Sequence, residues 1–471
     1  MRKLLVLAFF LSSWGYLLAA DSLRVLSLED VYGLVLENHP VVKQAGLLQD
    51  AARMELRAAR GAFDPQFRSA YDEKRFGSKD YWKVWQSSLR IPVWNGIDLK
   101  AEYQQTTGDE LDPMLATPGD GLSSVGIQLP LGQGLLIDSR RAALEQARLI
   151  GGLYDAERFS VVNKLLLQVN KDYLDWSYGY SRTRLAEEGL RLALQRFDAI
   201  RYKVLLGELP ALDSVEALVE VQNRQNTLTA ARIDFMNAGF LLSNHLWSDK
   251  GEPAQLTEDI LPDSLDRISP ATETIPLSRL LDSAMSAHPE LRKMEAKIGQ
   301  LDIDRRWAAE KLRPKVQLDY GLYSSGGTDF SDVGFFNPYW SDNMRVGLSF
   351  STSLFLREER GKYNLSKLKV QQAKFEQQRI RREVNNQVRS AYNEYSLLSV
   401  QLKDQLAQVR NAEVLLEGEQ IRFNEGESSL FLLNNRENAL LLFRLRTLEC
   451  RAKLEKARAL VRWSAGVSVS P

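Results

Sequence analysis

The side chains best suited to bind a transition metal or to titrate near neutral pH are three histidines and one cysteine in a chain of 471 residues. Their spacing does not organise that chemistry. His39 and His288 are each followed directly by proline, and neither has a Cys or acidic partner at metal-ligand spacing. Each reads as the end of one helix, with the proline opening the next. His245 stands alone, and the sole thiol, Cys450, lies in a helical stretch and has no internal disulfide partner. No nucleophile–base arrangement, phosphate-cradling glycine loop or pair of catalytic carboxylates can be placed. The expectation is a protein that is not an enzyme and needs neither cofactor nor metal.

What the histidines mark instead is a duplication. Leu28 to Tyr71 aligns without a gap onto Leu277 to Tyr320 at a shift of 249 residues, carrying His39-Pro40 onto His288-Pro289 and Pro65 onto Pro314. The register then changes to 219, where Arg141 meets Arg360, Tyr173 meets Tyr392 and Gly207 meets Gly426. A period this long is too large for a solenoid and reads as two copies of one αβα unit.

Basic and acidic side chains number 61 each, a balance that argues against a nucleic-acid partner. Met1 to Ala20 has Arg2-Lys3, an apolar run from Leu4 and small residues before Asp21, the pattern of a secretory signal peptide over residues 1–20. A retained membrane anchor is the alternative. Nothing after residue 20 is a continuous apolar segment long enough to cross a bilayer as a helix, so an exported form that sits in a membrane must do so through strands.

The first repeat, residues 21–248, opens with two helices meeting at His39-Pro40, with Leu28, Val31, Leu34 and Val35, then Leu47, Leu48 and Met54, as apolar stripes. Strands are expected at about 65–131 and long helices at 139–246, broken at Gly207 to Pro210. A connector at 249–276 leads to the second repeat, 277–471, with strands at about 314–355 and long helices at 357–465. Between Gly361 and Gly418 there is neither Gly nor Pro, a stretch of roughly 85 Å as one helix. Tyr395, Leu398, Leu402, Val409 and Leu416 form a coiled-coil-like stripe along it. Helices this long must pack along one another or along other copies of the chain.

The strands alternate. Val316, Leu318, Tyr320 and Leu322 interleave with Gln317, Asp319, Gly321 and Tyr323; Met344, Val346, Leu348 and Phe350 interleave with Arg345, Gly347, Ser349 and Ser351. That pattern suits a sheet over a core or a barrel wall between lipid and water. The wall is favoured, because no third segment supplies a layer to cover a soluble sheet. Phe335, Phe336, Tyr339 and Trp340, with Tyr81, Trp82, Trp85 and Trp94, resemble interfacial aromatic residues. The first repeat holds four strand-like runs (67–72, 81–91, 98–105, 124–129) where two are expected. They are either an added hairpin or, as preferred here, two long strands bulged at Pro92-Val93-Trp94-Asn95-Gly96.

With its doubled architecture, the segments ENHP and SAHP after each first helix, and RYKVLLGELPALD and RFNEGESSLFLLN between the long helices, the chain resembles the TolC family of outer-membrane efflux proteins. The resemblance covers the whole mature chain and implies a mainly α fold with membrane β: a homotrimer whose subunits each give four strands to a 12-stranded outer-membrane β-barrel, continued by a long periplasmic α-helical barrel. A periplasmic adaptor protein and an inner-membrane pump are the implied partners, along with outer-membrane lipid. Arg201, Tyr202 and Gly207, and Arg422, Phe423 and Gly426, match the family's docking tips, although the first copy has two extra residues before its glycine. A C-cap glycine over a packed aromatic is the plainer reading of both. The acids implied at the channel entrance fall on Asp213 and Glu216; in the second copy Leu432 and Asn435 stand where acids would be. Asp213 as cap of the helix from 211, with Glu216 in its first turn, accounts for the same residues. The implied function is the exit duct of a tripartite efflux or type I secretion system; a surface or periplasmic coiled-coil structural or adaptor protein is the alternative.

Overall fold

The computed structural model describes residues 24–257, 259–265, 276–325 and 343–469. The expected signal peptide, the aromatic cluster at 335–340 and part of the 249–276 connector lie outside the described residues.

In chain order the elements are β1 (Arg24–Leu26), α1 (Leu28–Asn38), α2 (Pro40–Gly61), β2 (Gln66–Phe76), β3 (Lys79–Pro92), β4 (Asp98–Thr107), β5 (Leu122–Pro130), α3 (Ser139–Leu205) and α4 (Ala211–Ser243). After the connector strand β6 (Ile260–Pro262) come α5 (Leu277–Ala287), α6 (Pro289–Glu310), β7 (Lys315–Ser325), β8 (Met344–Ser351), α7 (Arg357–Asn424) and α8 (Leu430–Ser464). Each half thus runs two short helices, strands, one very long helix and one shorter return helix.

Helices α3 and α7, at 67 and 68 residues, are each about 100 Å long at the usual rise per residue. Local propensity cannot hold such polar helices straight and single, so their stability must come from packing. Helix α3 packs along α4, α7 along α8, and α3 also lies against α8, which joins the two halves. The largest core gathers Leu26, Val31, Tyr32, Val35, Leu166, Tyr173, Trp176, Leu242 and Leu265 where β1, α1, α3, α4 and the connector meet. Its counterpart collects Leu280, Ala284, Val384, Val388, Ala391 and Val461, with Tyr392 packed against it. The pair Tyr173 and Tyr392, matched in sequence, therefore occupies corresponding cores.

Six strands make one antiparallel sheet among the described residues, in the order β2-β3-β4-β5-β7-β8. This corrects two expectations. The first half holds four separate strands, not two long bulged ones. The chain reverses between Pro92 and Asp98, where the Asn-Gly pair supplies the positive φ of a tight turn (Gly96, φ 80) and Val93 N–H donates to the Ile97 carbonyl at 2.7 Å. Strands β3 and β4 then pair in unbroken register from Pro92↔Asp98 to Lys83↔Thr107. Among the described residues the sheet consequently carries six strands, where the resemblance implied four.

Tyr173 is fully buried, and its phenol ties three segments together. It donates to the Leu26 carbonyl at 2.9 Å and accepts from Asp263 N–H at 3.1 Å, joining α3 to β1 and to the connector. Burial pushes this phenol up to about 12. Tyr173→Phe keeps the ring and strands both backbone groups; the expected loss is about 1–3 kcal/mol of unfolding free energy, read by denaturant unfolding in detergent.

Candidate functional site

The sheet is built as a wall with two unlike faces, and the strand registers fix which residue lies on which. Phe67, Tyr71, Trp85, Leu89, Leu99, Tyr103, Val125, Ile127, Leu318, Tyr320, Leu322, Val346, Leu348 and Phe350 all lie on one face. Most of them are exposed, Leu348 at 69% and Phe67 at 72%, so the apolar band crosses all six strands and no layer of the described residues covers it. A contiguous apolar surface of that extent on a sheet marks contact with lipid or with another chain. The opposite face carries Arg68, Gln86, Arg90, Lys100, Glu102, Gln128, Asp319 and Arg345. There Lys100 Nζ lies 3.3 Å from Asp319 Oδ1, and Gln317 donates to the same carboxylate at 2.9 Å. Gly126 on this face is required by backbone approach, since a Cβ would sit 2.4 Å from the Tyr320 carbonyl.

The wall is bolted to the helices at one edge. Buried Asp98, at the start of β4, accepts from Arg90 Nε of β3 at 3.0 Å and from Arg140 Nη1 of α3 at 2.7 Å. Trp94 in the β3–β4 turn stacks on Phe63 at 6.1 Å, and Arg148 of α3 lies 5.3 Å over the Trp94 ring. Buried Glu310, at the end of α6, accepts from the N–H groups of Gly134 and Leu136 at 3.2 and 3.1 Å and fixes the segment leading into α3. Among the described residues no helix is long and apolar enough to cross a membrane.

At the far end of the long helices the two hairpin turns close alike. Gly207 (φ 78) and Gly426 (φ 81) follow the last helical residues, and paired bonds run back from Gly207 to Val204, Glu208 to Lys203, Gly426 to Phe423 and Glu427 to Arg422. This double bond is the Schellman closure, which places the glycine in the left-handed region. The tips are brought together by a small core of Ile200, Ala217 and Leu430, with Phe197, Val204, Leu209 and Phe423 against it. The matched aromatics have different fates: Phe423 packs into that core, whereas Tyr202 is 65% exposed. Arg201, Arg422 and both glycines are also exposed. Asp213 does not cap α4. Pro210 holds the cap position without a side-chain bond, and Asp213 and Glu216 sit half-buried in the first turns behind it. At the second tip Ser429 caps α8 by accepting from Leu432 N–H at 3.3 Å.

Three polar ties near the tips join residues too distant in sequence to be paired by inspection. Glu437, 3% exposed, is held by Arg196 of α3, which also donates to Asn434 at 2.9 Å. Glu419 accepts from the Ser428 hydroxyl at 2.5 Å and lies 3.5 Å from Arg436 Nε; the hydroxyl first and the arginine after it hold its carboxyl below the usual range. Arg444 reaches Glu413 at 2.9 Å and Glu188 at 3.6 Å, spanning α7, α8 and α3.

The two histidines cap the second helix of each half with their rings. His39 Nδ1 accepts from Val41 N–H at 3.1 Å and His288 Nδ1 from Glu290 N–H at 3.3 Å, each with proline in the first helical position. An imidazolium cannot accept this bond. Burial holds both rings below the usual imidazole range, with nearby His245 adding to the effect at His39. A folded pKa lowered below the unfolded one means that the unfolded chain binds the extra proton. The stabilisation is thus complete above about pH 6.5 and is lost as pH falls below it. A His39→Asn, His288→Asn variant, whose amides cap without titrating, should show a smaller loss of melting temperature than the parent between about pH 7 and 5. At the tips, Gly426→Ala meets no atom within 4 Å, so its penalty is conformational, about 1–2 kcal/mol. It should appear as faster amide exchange around residues 422–432 with the global melting temperature unchanged.

Residues 280–467 match the family described as Outer membrane efflux protein. A comparison with curated protein sequences finds no match. Among solved structures, the chain is similar to the outer-membrane channel OprN (TM-score 0.67, 16% identity, 94% of this chain and 91% of that one). It is also similar to the MtrE outer membrane channel of Neisseria gonorrhoeae in its open state (0.66, 16%, 94% and 89%) and to the CmeC outer membrane channel of Campylobacter jejuni (0.64, 14%, 94% and 87%). At these identities the likeness carries the fold, and it extends over both halves. Residues 280–467 in the second half thus match the outer membrane efflux protein family, within a fold similar from end to end to those of outer-membrane channels.

Proposed function

We propose that three copies of this chain form a passive exit duct through the outer membrane and the periplasm, working with a periplasmic adaptor and an inner-membrane pump. The observation that carries the reading is the sheet: one uncovered apolar face, one polar face, and helices of about 100 Å leaving it at a single edge. The apolar face meets lipid, the polar face lines water, and the helices reach across the periplasm. In this reading residues 21–248 and 277–471 are two copies of one unit joined by the connector. A surface coiled-coil protein would account for the helices and leave the two-faced sheet unused.

The tips are the periplasmic end of the duct. Arg201, Tyr202, Gly207, Arg422 and Gly426 present an exposed rim that an adaptor or pump can grip, with Phe423 packed beneath it. Asp213 and Glu216, three copies each, make an acidic ring just inside that rim. The duct itself performs no chemistry; energy and the choice of cargo belong largely to the pump.

Reconstitution of the purified chain into planar bilayers tests both levels. The parent should give discrete, long-lived conductances with a preference for cations, and Asp213→Asn with Glu216→Gln should move the reversal potential in a salt gradient toward zero. A chain that folds and inserts yet never conducts contradicts the duct. An unchanged cation preference removes the acidic ring and leaves the duct standing.

A further inference from the structure

The helical edge of the wall, where α2 and α6 end and α3 and α7 begin, mixes exposed apolar side chains with cations in the same short stretches. Leu354 and Phe355, between β8 and α7, are 89% and 69% exposed, and Leu135 and Leu136 hold the equivalent exposed places before α3. Residues 311–315 carry three bases and no acid, and residues 357–369 five bases and two acids, in a chain whose formal charge is zero. Three exposed cations here lie over rings. Arg148 is 5.3 Å from the centroid of Trp94, Lys367 4.2 Å from Tyr363 and Arg357 5.0 Å from Phe355. Positions 148 and 367 are equivalent at the 219-residue shift, so both halves set a cation on a ring at this level.

Contacts within the chain do not account for these charges. The N-terminal end of a helix disfavours cations, yet Arg140 and Arg141 open α3, and Arg357 and Arg360 open α7. The first pair is answered by Asp98 and Asp138. Among the described residues no carboxylate lies within ion-pair range of Arg148, Arg357, Arg360 or Lys367, and Glu358 is taken by Lys362. A second copy brings no surplus of acid either: α6 has five bases and five acids, and α2 four bases and two acids. An occupant that is apolar at one end and anionic at the other satisfies both kinds of side chain at once. We propose that this edge is a collar for anionic phospholipids of the periplasmic leaflet, with acyl chains against Leu354, Phe355 and the apolar sheet face. Their phosphate diesters meet Arg148, Arg357, Arg360 and Lys367. The collar rests on the membrane placement of the sheet in the proposed function. Helical side chains lean toward the N-terminus of their helix, which carries the cations of α3 and α7 toward the apolar band. With so few acids at hand to meet an ammonium, the collar selects a net-negative head group over a zwitterionic one.

Native mass spectrometry of the full-length oligomer tests the collar. Equimolar phosphatidylglycerol and phosphatidylethanolamine are added in detergent, and the lipids retained per oligomer are counted. The parent should retain phosphatidylglycerol selectively, by about fivefold for each cation that a phosphate meets. Arg148→Gln, Arg357→Gln, Arg360→Gln and Lys367→Gln together should abolish the selectivity. Lys164→Gln, Lys403→Gln, Arg410→Gln and Arg446→Gln, at exposed cations farther along the long helices, should leave it unchanged. If the first combination does not assemble, Arg148→Gln and Lys367→Gln singly carry the test, each lowering selectivity about fivefold. Equal retention of the two lipids by the parent overturns the collar, as does selectivity that survives the first combination or falls equally in the second. Glycerol phosphate that displaces the lipid as effectively as phosphatidylglycerol itself would overturn a lipid as the occupant. Conductance of the parent in planar bilayers reads the duct separately. A conducting parent without lipid selectivity loses the collar alone, and a selective parent that never conducts loses the duct alone.

Discussion

Everything in this molecule answers to the hydrogen-bonding appetite of backbone groups placed where water cannot reach them. A sheet with one apolar face belongs against hydrocarbon, and hydrocarbon accepts a sheet only when it has no edge. Among the described residues one chain presents six strands in this sheet, with β2 and β8 at its two edges. In the proposed duct such a chain is incomplete by itself, and closure of its sheet calls for neighbouring copies. The helices run as two antiparallel hairpins, α3 along α4 and α7 along α8, with α3 also lying against α8.

The two halves share a plan and differ where load is carried. Both place a histidine ring over the first N–H groups of a helix, both set a tyrosine against a core at the matched position of the long helix, and both end that helix in a left-handed glycine. Among the described residues the first half alone adds a hairpin to the wall, and it fastens β1 and the connector through the Tyr173 phenol. Ion pairs link the halves, among them Arg196 to Glu437, Arg444 to Glu188 and Lys456 to Asp175, which join α3 to α8.

Much of this was legible in the residues. The repeat, the helix lengths and the strand faces follow from periodicity, and His-Pro marks helix junctions because proline suits a first helical position while the residue before it stays extended. The reversal at Trp94-Asn95-Gly96 was legible too and was misread as a bulge, although Asn-Gly between alternating runs is the strongest short hairpin signal. What sequence could not offer were contacts decided by how helices lie on one another. Arg196 and Glu437 are 241 residues apart, and nothing local distinguishes them from other charges on polar helices. Asp213 had looked like a cap because its residue type favours that role; the backbone instead ends its turn at Pro210, three residues earlier.

Closure of the wall by neighbouring copies is the claim on which the rest leans, and amide hydrogen exchange on the intact oligomer in lipid nanodiscs reads it most directly. Amides of β2 and β8 should be protected as strongly as those of the interior strands β4 and β5, and should become labile together when the oligomer is dissociated. Edges that exchange freely in an oligomer that remains intact would contradict the account.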